Sequence, residues 1–276
     1  MKKLATLLIL AFALVGCGQQ PADNAAANGN ATPAAEENNV IKIGVSPTPH
    51  GEIINALQSE FEAAGIQVEP VIFDDYIQPN EQLAAGDLDA NYFQHKPYFD
   101  EFIAENNLDL TAIGNVHIEP MAIYSDKVQA IEDVEDGSDV IIPNDATNGA
   151  RALILLEEAG LIKLNDKTNL SATEADIVEN PKNLKVVAME AQNIPNTYKD
   201  AALAVINSNY ALGAGLNPQT DALIIESGDS PYANLVAVRT GEEGQEKFKK
   251  LMEVLNSDAA KKVIEEQFEG AIFPAF

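Results

Sequence analysis

The chain has one cysteine, three histidines, no tryptophan and few basic residues. Its only cysteine, Cys17, excludes an internal disulfide. Over 276 residues, 17 Lys and Arg stand against 43 Asp and Glu, which gives a formal net charge of −26. Because nucleic acid and anionic membrane surfaces repel a chain of that sign, we predict no nucleic-acid partner and attribute the acidity chiefly to solubility.

Motifs that carry catalytic chemistry are also missing from the sequence. Neither a G-x-S-x-G nucleophile elbow nor a phosphate loop of the Walker type occurs. His50, His95 and His117 lack the spacing of a metal site, and no cysteine can join them. We therefore predict a chain that is not an enzyme and has no cofactor and no metal. The alternative is an enzyme acting on a small acid with His95 as general base.

The N-terminus has the layout of a bacterial export signal. Lys2 and Lys3 precede an apolar run over residues 4–15, shorter than the roughly 20 residues that span a bilayer. The run leads into "LVGC", which resembles the lipobox of bacterial lipoproteins. We predict a signal peptide over residues 1–16, then lipidated Cys17 and a disordered tether over residues 17–39, rich in Ala, Asn and Pro. A buried or unmodified thiol is the alternative.

From Val40 onward, β-rich runs alternate with helical patterns. The segments "VIKIGVSP", "GEIINALQSEFEAAG" and "IQVEPVIF" form a strand–helix–strand unit, which predicts a parallel sheet. Two extended segments, "LTAIGNVHIEPMAIYS" and "SPYANLVAVRT", are long enough to pass between lobes. We predict an α/β clamshell with one lobe over residues 40–120 and 236–276 and another over residues 121–235. Ligand sites favour the carboxyl ends of parallel strands and domain interfaces.

Aromatic residues lie at the predicted strand ends of the first lobe. Phe93 and His95 share one face of a strand, and Tyr76 and Tyr98 fall just beyond strand ends. Together they would form an aromatic slot with one polar edge, suited to an apolar side chain. A thioether is favoured there, because sulfur–aromatic contacts contribute about 0.3–1.5 kcal/mol. The alternative is that these side chains belong to the core.

In the second lobe, "PNDATNGAR" predicts a helix that starts near Asn148 and Gly149, with Arg151 in its first turn. The helix dipole disfavours a cation at that position. We therefore predict that free main-chain amides and the Arg151 guanidinium bind an anion such as a carboxylate. Alternatively, Arg151 points into water or pairs with Asp145 or Glu174.

Three further asparagines fall where the chain reaches the predicted cleft. "AVINSNY" ends a strand with Asn207 and Asn209, and "SPYANLV" places Asn234 on the returning crossing. Side-chain amides at such positions can accept hydrogen bonds from an ammonium group while donating elsewhere.

Four segments occur in an order that resembles one known family. "NYFQHKPY", "PNDATNGARAL", "INSNYA" and "SPYANLVAVR" resemble the substrate-binding lipoproteins of methionine ABC transporters, the NlpA-type family. The resemblance runs from about residue 41 to residue 276, and the lipobox and tether fit it. It implies a periplasmic-binding-protein-like (type II) fold of two α/β lobes joined by a hinge, with D-/L-methionine-class amino acids bound between them.

The resemblance also implies partners, location and residue roles. The implied partners are methionine or a related amino acid and an ABC permease with its ATPase. Lipid on Cys17 would attach the chain to a membrane, and the chain is expected to be a monomer. It is exported and lipid-anchored to the cell envelope, on the periplasmic face of a membrane or the outer face of the cytoplasmic membrane. By motif, the carboxylate falls on Arg151 and Asn148 and the rest of the amino-acid head on Asn207 and Asn234. The side-chain slot falls on four residues, Tyr76, Phe93, His95 and Tyr98.

The resemblance leaves two alternatives open. Members of the family that bind a methionyl dipeptide or a different amino acid are not separated by these motifs. A surface adhesin or sensor is a further alternative, since a lipoprotein can be used in that way.

Overall fold

The computed structural model describes residues 39–228 and 231–276. The predicted signal peptide, Cys17 and nearly all of the predicted tether lie outside the described residues. None of the helices in the described part of the chain combines the length and the apolar character needed to cross a membrane.

The strands of the described residues form two main sheets and a small hairpin. In chain order the strands are β1 Val40–Val45, β2 Gln67–Ile72, β3 Ala90–His95, β4 Leu110–Ile118, β5 Ala122–Tyr124, β6 Asp139–Pro143, β7 Lys163–Leu164, β8 Ile177–Glu179, β9 Lys185–Met189, β10 Leu203–Ile206, β11 Ile224–Ile225, β12 Ala233–Arg239 and β13 Phe273–Pro274. The first sheet has the order β13-β4-β12-β3-β1-β2, and the second has the order β11-β5-β10-β6-β9. The hairpin pairs β7 with β8.

Helices connect and cover these strands. In chain order they are α1 Glu52–Ala56, α2 Gln58–Ala63, α3 Gln78–Ala85, α4 Lys96–Asn106, α5 Ala146–Glu158, α6 Ile194–Thr197, α7 Ser208–Gly213, α8 Glu246–Leu255 and α9 Asp258–Gln267. Single helical turns lie at Pro47–Gly51, Ile131–Asp133, Glu174–Asp176 and Ala191–Asn193. Apolar spacing explains how the helices pack: in α8, Phe248, Leu251 and Leu255 recur on one face and are buried in the core of the first sheet.

Each sheet is mixed rather than wholly parallel. In the first sheet, β1 runs parallel to β2 and β3, as the strand–helix–strand pattern predicts. The late strand β12 then inserts antiparallel between β3 and β4. In the second sheet, β6 lies parallel to β9 and β10, and β5 lies antiparallel to β10. Strand β12 returns from the second sheet, so its direction is set by that crossing.

Two chain crossings connect the sheets. The first runs from the end of β4 through Glu119, Pro120 and Met121 into β5. The second leaves β11 at Glu226 and enters β12 at Ala233. Each sheet has its own buried apolar cluster, with Tyr92 and Phe61 beside the first sheet and Leu153 beside the second. Two α/β layers joined by two crossings confirm the predicted two-lobe fold.

Helix α3 begins at Gln78, because Pro79 suits the first turn, and Asn80 is buried and bonded to Gln94. The start of α5 differs from the sequence prediction. Helix α5 begins at Ala146, because the Asp145 side chain accepts from the Asn148 N–H and caps the helix there. Arg151 therefore lies in the second turn of α5, not in its first.

Candidate ligand-binding site

A partly open cavity lies where the two sheets meet and encloses about 330 Å³ of space between protein atoms, part of it continuous with solvent. The residues around it come from both sheets and from the first crossing: Tyr76, Phe93, Gln94, His95, Tyr98, Glu119, Asn148, Arg151, Ser208, Asn209 and Asn234. Seven of the eight residues predicted from sequence are among them. Asn207, the eighth, lies behind the wall, where its Nδ2 donates to Asn148 Oδ1 at 2.8 Å.

Aromatic rings form one end of the cavity. The Tyr76 ring centroid lies 6.0 Å from that of Phe93 and 5.8 Å from that of Tyr98, within the range of favourable aromatic pairs. The Tyr98 hydroxyl donates to the main-chain oxygen of Tyr76 at 2.9 Å. The Tyr76 hydroxyl donates to Asn209 Oδ1 at 2.6 Å. These bonds satisfy the hydroxyls, so the ring faces remain as an apolar surface.

His95 links the two sheets and has a defined tautomer. It ends β3, and its Nδ1 accepts from the Tyr98 N–H at 3.2 Å, which caps α4. Because Nδ1 is an acceptor, the proton of the neutral ring is on Nε2, which donates to Asn148 Oδ1 at 3.0 Å. Burial, with a smaller effect from the Arg151 charge, lowers the pKa of His95 to about 3. The ring is therefore neutral at pH 7.

Arg151 is buried and forms hydrogen bonds with both crossings. Its Nε donates to Glu226 Oε1 at 3.0 Å, and its Nη2 donates to Glu226 Oε2 at 2.5 Å. The same Nη2 donates to the Glu119 main-chain oxygen at 2.7 Å. The guanidinium carbon lies 4.1 Å from the centre of the Tyr232 ring, a cation–π distance. None of these hydrogen bonds uses Nη1.

The predicted anion site at the start of α5 needs correction. The Asn148 N–H, expected to be free for an anion, donates to the Asp145 carboxylate at 2.9 Å. Arg151 pairs with neither Asp145 nor Glu174 but with Glu226, more than 70 positions away in sequence. The positive group that reaches the cavity is therefore the guanidinium itself. Sequence spacing gives no sign of this pairing, because Glu226 follows a two-residue strand on a different segment.

A second buried polar network lies beside the cavity and is centred on Glu119. His117 Nε2 lies 2.8 Å and His50 Nε2 lies 3.2 Å from the same oxygen, Oε1 of Glu119. The main-chain N–H of Asn209 also donates to this carboxylate. Burial raises the pKa of Glu119, and the His50 and Arg151 neighbours partly oppose that effect.

The outer nitrogens of both rings are also bonded. His117 Nδ1 lies 2.5 Å from the Tyr92 hydroxyl, and His50 Nδ1 lies 2.6 Å from Ser46 Oγ. If both hydroxyls donate, each ring carries its proton on Nε2 and points it at Glu119. Burial lowers the pKa of His117 to about 3 and, as its largest cause, that of His50 to about 4.

Asn234 is oriented by the same network. It lies in β12 between His95 and His117 of the neighbouring strands. His50 Nε2 lies 3.1 Å from Asn234 Oδ1, and a protonated Nε2 donates to it. This bond uses one of the two lone pairs of the amide oxygen, and Nδ2 can donate toward the cavity. The role of the Asn234 oxygen as an ammonium acceptor stays a prediction.

The nearest arrangement to a metal site among the described residues is this Glu119 network. Ligand atoms of His50, His117 and Glu119 lie within 4.8 Å of one another. Sequence spacing does not reveal this grouping, since the residues belong to a turn, a strand and a crossing. The 2.8 Å separation of His117 Nε2 and Glu119 Oε1 is a hydrogen-bond distance. It is shorter than the roughly 3.3 Å between neighbouring ligands in a tetrahedral zinc site with 2.0–2.1 Å bonds.

Sequence reasoning missed several residues that line or support the cavity. Glu119, Ser208 and Gln94 line it, and Glu226 and Tyr232 hold Arg151. Glu119 had a usable signal, because it stands alone in an otherwise uncharged extended segment, "GNVHIEPMAIY". Asn209 was predicted beside Asn207 at the cleft but was given no part in binding the amino-acid head.

Comparisons with known proteins find relatives over most of the chain. The sequence model of the NlpA lipoprotein family matches residues 41–276. The D-methionine-binding lipoprotein MetQ of Escherichia coli (strain K12) is 41% identical over 266 residues, which cover 95% of this chain and 93% of that protein. Outer membrane lipoprotein 1 of Mannheimia haemolytica is 43% identical over 240 residues, covering 86% of this chain and 85% of its own.

A solved structure extends the likeness to three dimensions. The nutrient binding protein of Burkholderia cenocepacia, determined bound to methionine, superposes with a TM-score of 0.83 at 41% identity. The match covers 86% of this chain and 100% of that chain. The family model and the relatives show that the chain belongs to the NlpA lipoprotein family.

Proposed function

We propose that this chain is the substrate-binding lipoprotein of an ABC importer and captures methionine in the cavity between its two sheets. The observation that carries the proposal is the cavity itself, whose wall includes both aromatic rings and the Arg151 guanidinium. A methionine spans the two, with its thioether against the rings and its carboxylate toward the cation. The methionine-binding relatives support the choice of ligand.

The predicted residues then have distinct roles. Tyr76, Phe93 and Tyr98 contact the side chain, and His95 forms the polar edge of that slot. Arg151 and the Asn234 Nδ2 donate to the carboxylate. Asn148 and Asn207 act mainly by position, because Asn148 Oδ1 is already bonded to both His95 and Asn207.

The position of Arg151 explains why ligand binding would favour closure of the two lobes. Its guanidinium is bonded to both crossings, through Glu226 and the Glu119 main chain. A ligand carboxylate at this cation would join the contacts that hold the lobes together, so binding favours the closed form. The closed form would be recognised by the permease, and the transporter's ATPase would supply the energy for release. The lipid on Cys17 would hold the chain at the cell envelope.

Binding rather than catalysis fits the cavity. His95, the candidate general base, has its acceptor nitrogen occupied by the Tyr98 N–H and carries its proton on the other. Its pKa of about 3 makes it a weak base at neutral pH.

Calorimetric titration tests the proposal. The full chain, unfolded and refolded to remove carried-over ligand, is titrated with L-methionine, D-methionine, other amino acids and Gly-Met. We expect one-to-one methionine binding that weakens about tenfold or more in Arg151→Ala. An unchanged dissociation constant in that variant contradicts the carboxylate role. Binding of another amino acid or of Gly-Met alone changes the substrate, and binding of none favours an adhesin or sensor.

A further inference from the structure

Among the described residues that line the cavity, only Glu119 is acidic and only Arg151 carries a cationic guanidinium. We infer that Glu119 binds the ligand's α-ammonium group, so that the site selects a free α-amino acid whose ammonium and carboxylate share one carbon. This inference rests on the proposed function and specifies the substrate class of the same cavity.

The Glu119 carboxylate is placed beside the cavity by its neighbours. Asn209, whose main-chain N–H donates to the carboxylate, lines the cavity. Asn234 also lines it, and its Oδ1 shares His50 Nε2 with Glu119 Oε1, at 3.1 and 3.2 Å. Two cavity-lining residues therefore flank this side chain.

The charges along the site alternate in sign. Glu226 pairs with Arg151 at 2.5 Å, and Arg151 contacts the main chain of Glu119 at 2.7 Å. A zwitterionic ligand with its carboxylate at Arg151 and its ammonium at Glu119 continues that series as anion, cation, anion, cation, anion. Each buried charge then has an opposite charge beside it, which is the condition for burying a zwitterion without a large desolvation cost.

Glu119 lacks a full counterion within the protein. Its nearest nitrogens belong to His50 and His117, whose pKa values of about 4 and 3 leave both rings neutral at pH 7. The guanidinium of Arg151 is already paired with Glu226. Neutral N–H groups hold the Glu119 carboxylate in place and leave its charge to be balanced by a cation.

The proximity of Arg151 and Glu119 limits how far apart the ammonium and carboxylate groups of the ligand can be. The Nη2 of Arg151 bonds to the Glu119 main chain, and the Arg151 charge acts to lower the pKa of the Glu119 carboxyl, so the groups that would bind the two ends lie near each other. In a free α-amino acid, the ammonium and carboxylate are attached to the same carbon. In Gly-Met a peptide unit separates them, so we expect a dipeptide to match this pair less well.

The test compares ligands that differ only at the ammonium group. The full chain, purified in detergent and freed of bound ligand, is titrated with L-methionine and with 4-(methylsulfanyl)butanoate, which lacks the ammonium. In Glu119→Gln we expect the affinity for methionine to fall about tenfold or more, while the affinity for 4-(methylsulfanyl)butanoate stays unchanged or rises. Wild-type chain should also bind methionine more tightly than Gly-Met.

Glu226→Gln is the matched control, because it is the other carboxylate next to Arg151. It acts through the carboxylate end, which both ligands share, so the ratio of their affinities should not change. Equal losses for both ligands in Glu119→Gln, or no loss for either, would overturn the inference, as would tighter wild-type binding of Gly-Met. Failure of the wild-type chain to bind methionine at all would instead contradict the proposed function. Urea midpoints of both variants establish that they are folded.

Discussion

His95 at the end of β3 donates from Nε2 to Oδ1 of Asn148 in α5, across the interface of the two sheets, at 3.0 Å. Asn148 Nδ2 donates in turn to both oxygens of Asp145, at 3.0 and 3.1 Å. With Asn207 as a second donor to its oxygen, the Asn148 amide has all of its main bonding positions filled. The orientation of this amide is therefore fixed by its surroundings before any ligand arrives.

Replacing Asn148 should lower stability markedly. In Asn148→Ala, the donors of His95 and Asn207 and the Asp145 carboxylate lose partners in a buried site. Each unsatisfied buried group costs about 1–3 kcal/mol, so we expect the free energy of unfolding to fall by roughly 3 kcal/mol. Urea denaturation of ligand-free chain measures it. Asn193→Ala, at an exposed asparagine without a side-chain cap bond, is the control. Equal effects of the two substitutions would show that the Asn148 network adds little.

The Arg151–Glu226 pair should contribute more to stability than any surface pair. Arg151 is 4% and Glu226 13% exposed, so Glu226→Ala leaves a buried cation without its carboxylate. Removing one partner of such a pair costs about 3–5 kcal/mol. Thermal and urea unfolding of Glu226→Ala check this value. Glu179→Ala is the matched control, because its partner Lys163 is exposed and the pair lies in water. A similar change in both variants would contradict the structural role of Glu226.

The elements that sequence predicted well are those with a local cause. Strands β1 and β3 lie where strands were predicted, and a proline in the first turn of α4 marks the start of that helix. The placement of Phe93 and His95 on the cavity wall follows from the two-residue repeat of a strand. Arg151 was identified because a cation near a helix start conflicts with the dipole.

The features that sequence did not predict depend on distant segments. Glu226 meets Arg151 only because β11 lies in the second sheet and α5 packs against that sheet. The Glu119 network joins a turn, a strand end and a crossing, and no spacing rule connects His50 with residues near position 117. Helix α5 starts earlier than predicted for a local reason. Asp145 and Asn148 are both good caps, and the structure uses Asp145.

The imidazoles should remain neutral well below pH 6. The pKa values of about 4 for His50 and about 3 for His95 and His117 all lie below the ordinary 6.5. Since the chain has only three histidines, their ring C–H signals can be followed separately by NMR. We expect no titration shift between pH 7 and pH 5. A midpoint near 6.5 for any ring would show that this ring is exposed to water.

The same pKa shifts make stability depend on pH. Below pH 6.5 the unfolded chain protonates its histidines while the folded chain does not, so stability falls as the pH drops toward about 4 or 3. The raised pKa of Glu119 acts in the opposite direction, because its folded form takes up a proton more readily.

His95 lies outside the Glu119 network and therefore gives the cleaner test of this pH dependence. Between pH 6.5 and 4.5, the unfolding free energy of wild type should decline more steeply than that of His95→Gln. The difference should approach one proton, about 1.4 kcal/mol per pH unit. Identical slopes would contradict the buried, neutral assignment.

Ligand release should be faster when a bond across the cavity is removed. The Tyr76 hydroxyl donates to Asn209 Oδ1 at 2.6 Å, joining the aromatic end of the cavity to α7. Tyr76→Phe keeps the ring against Phe93 and Tyr98 and deletes only this bond. A hydrogen bond of this kind contributes about 0.5–1.5 kcal/mol net, so methionine should dissociate roughly 2- to 10-fold faster. Stopped-flow displacement of bound methionine measures the rate, with Tyr198→Phe, outside the cavity wall, as the control. If Tyr76→Phe instead slowed association and left dissociation unchanged, the hydroxyl would act on ligand entry rather than on holding the lobes together.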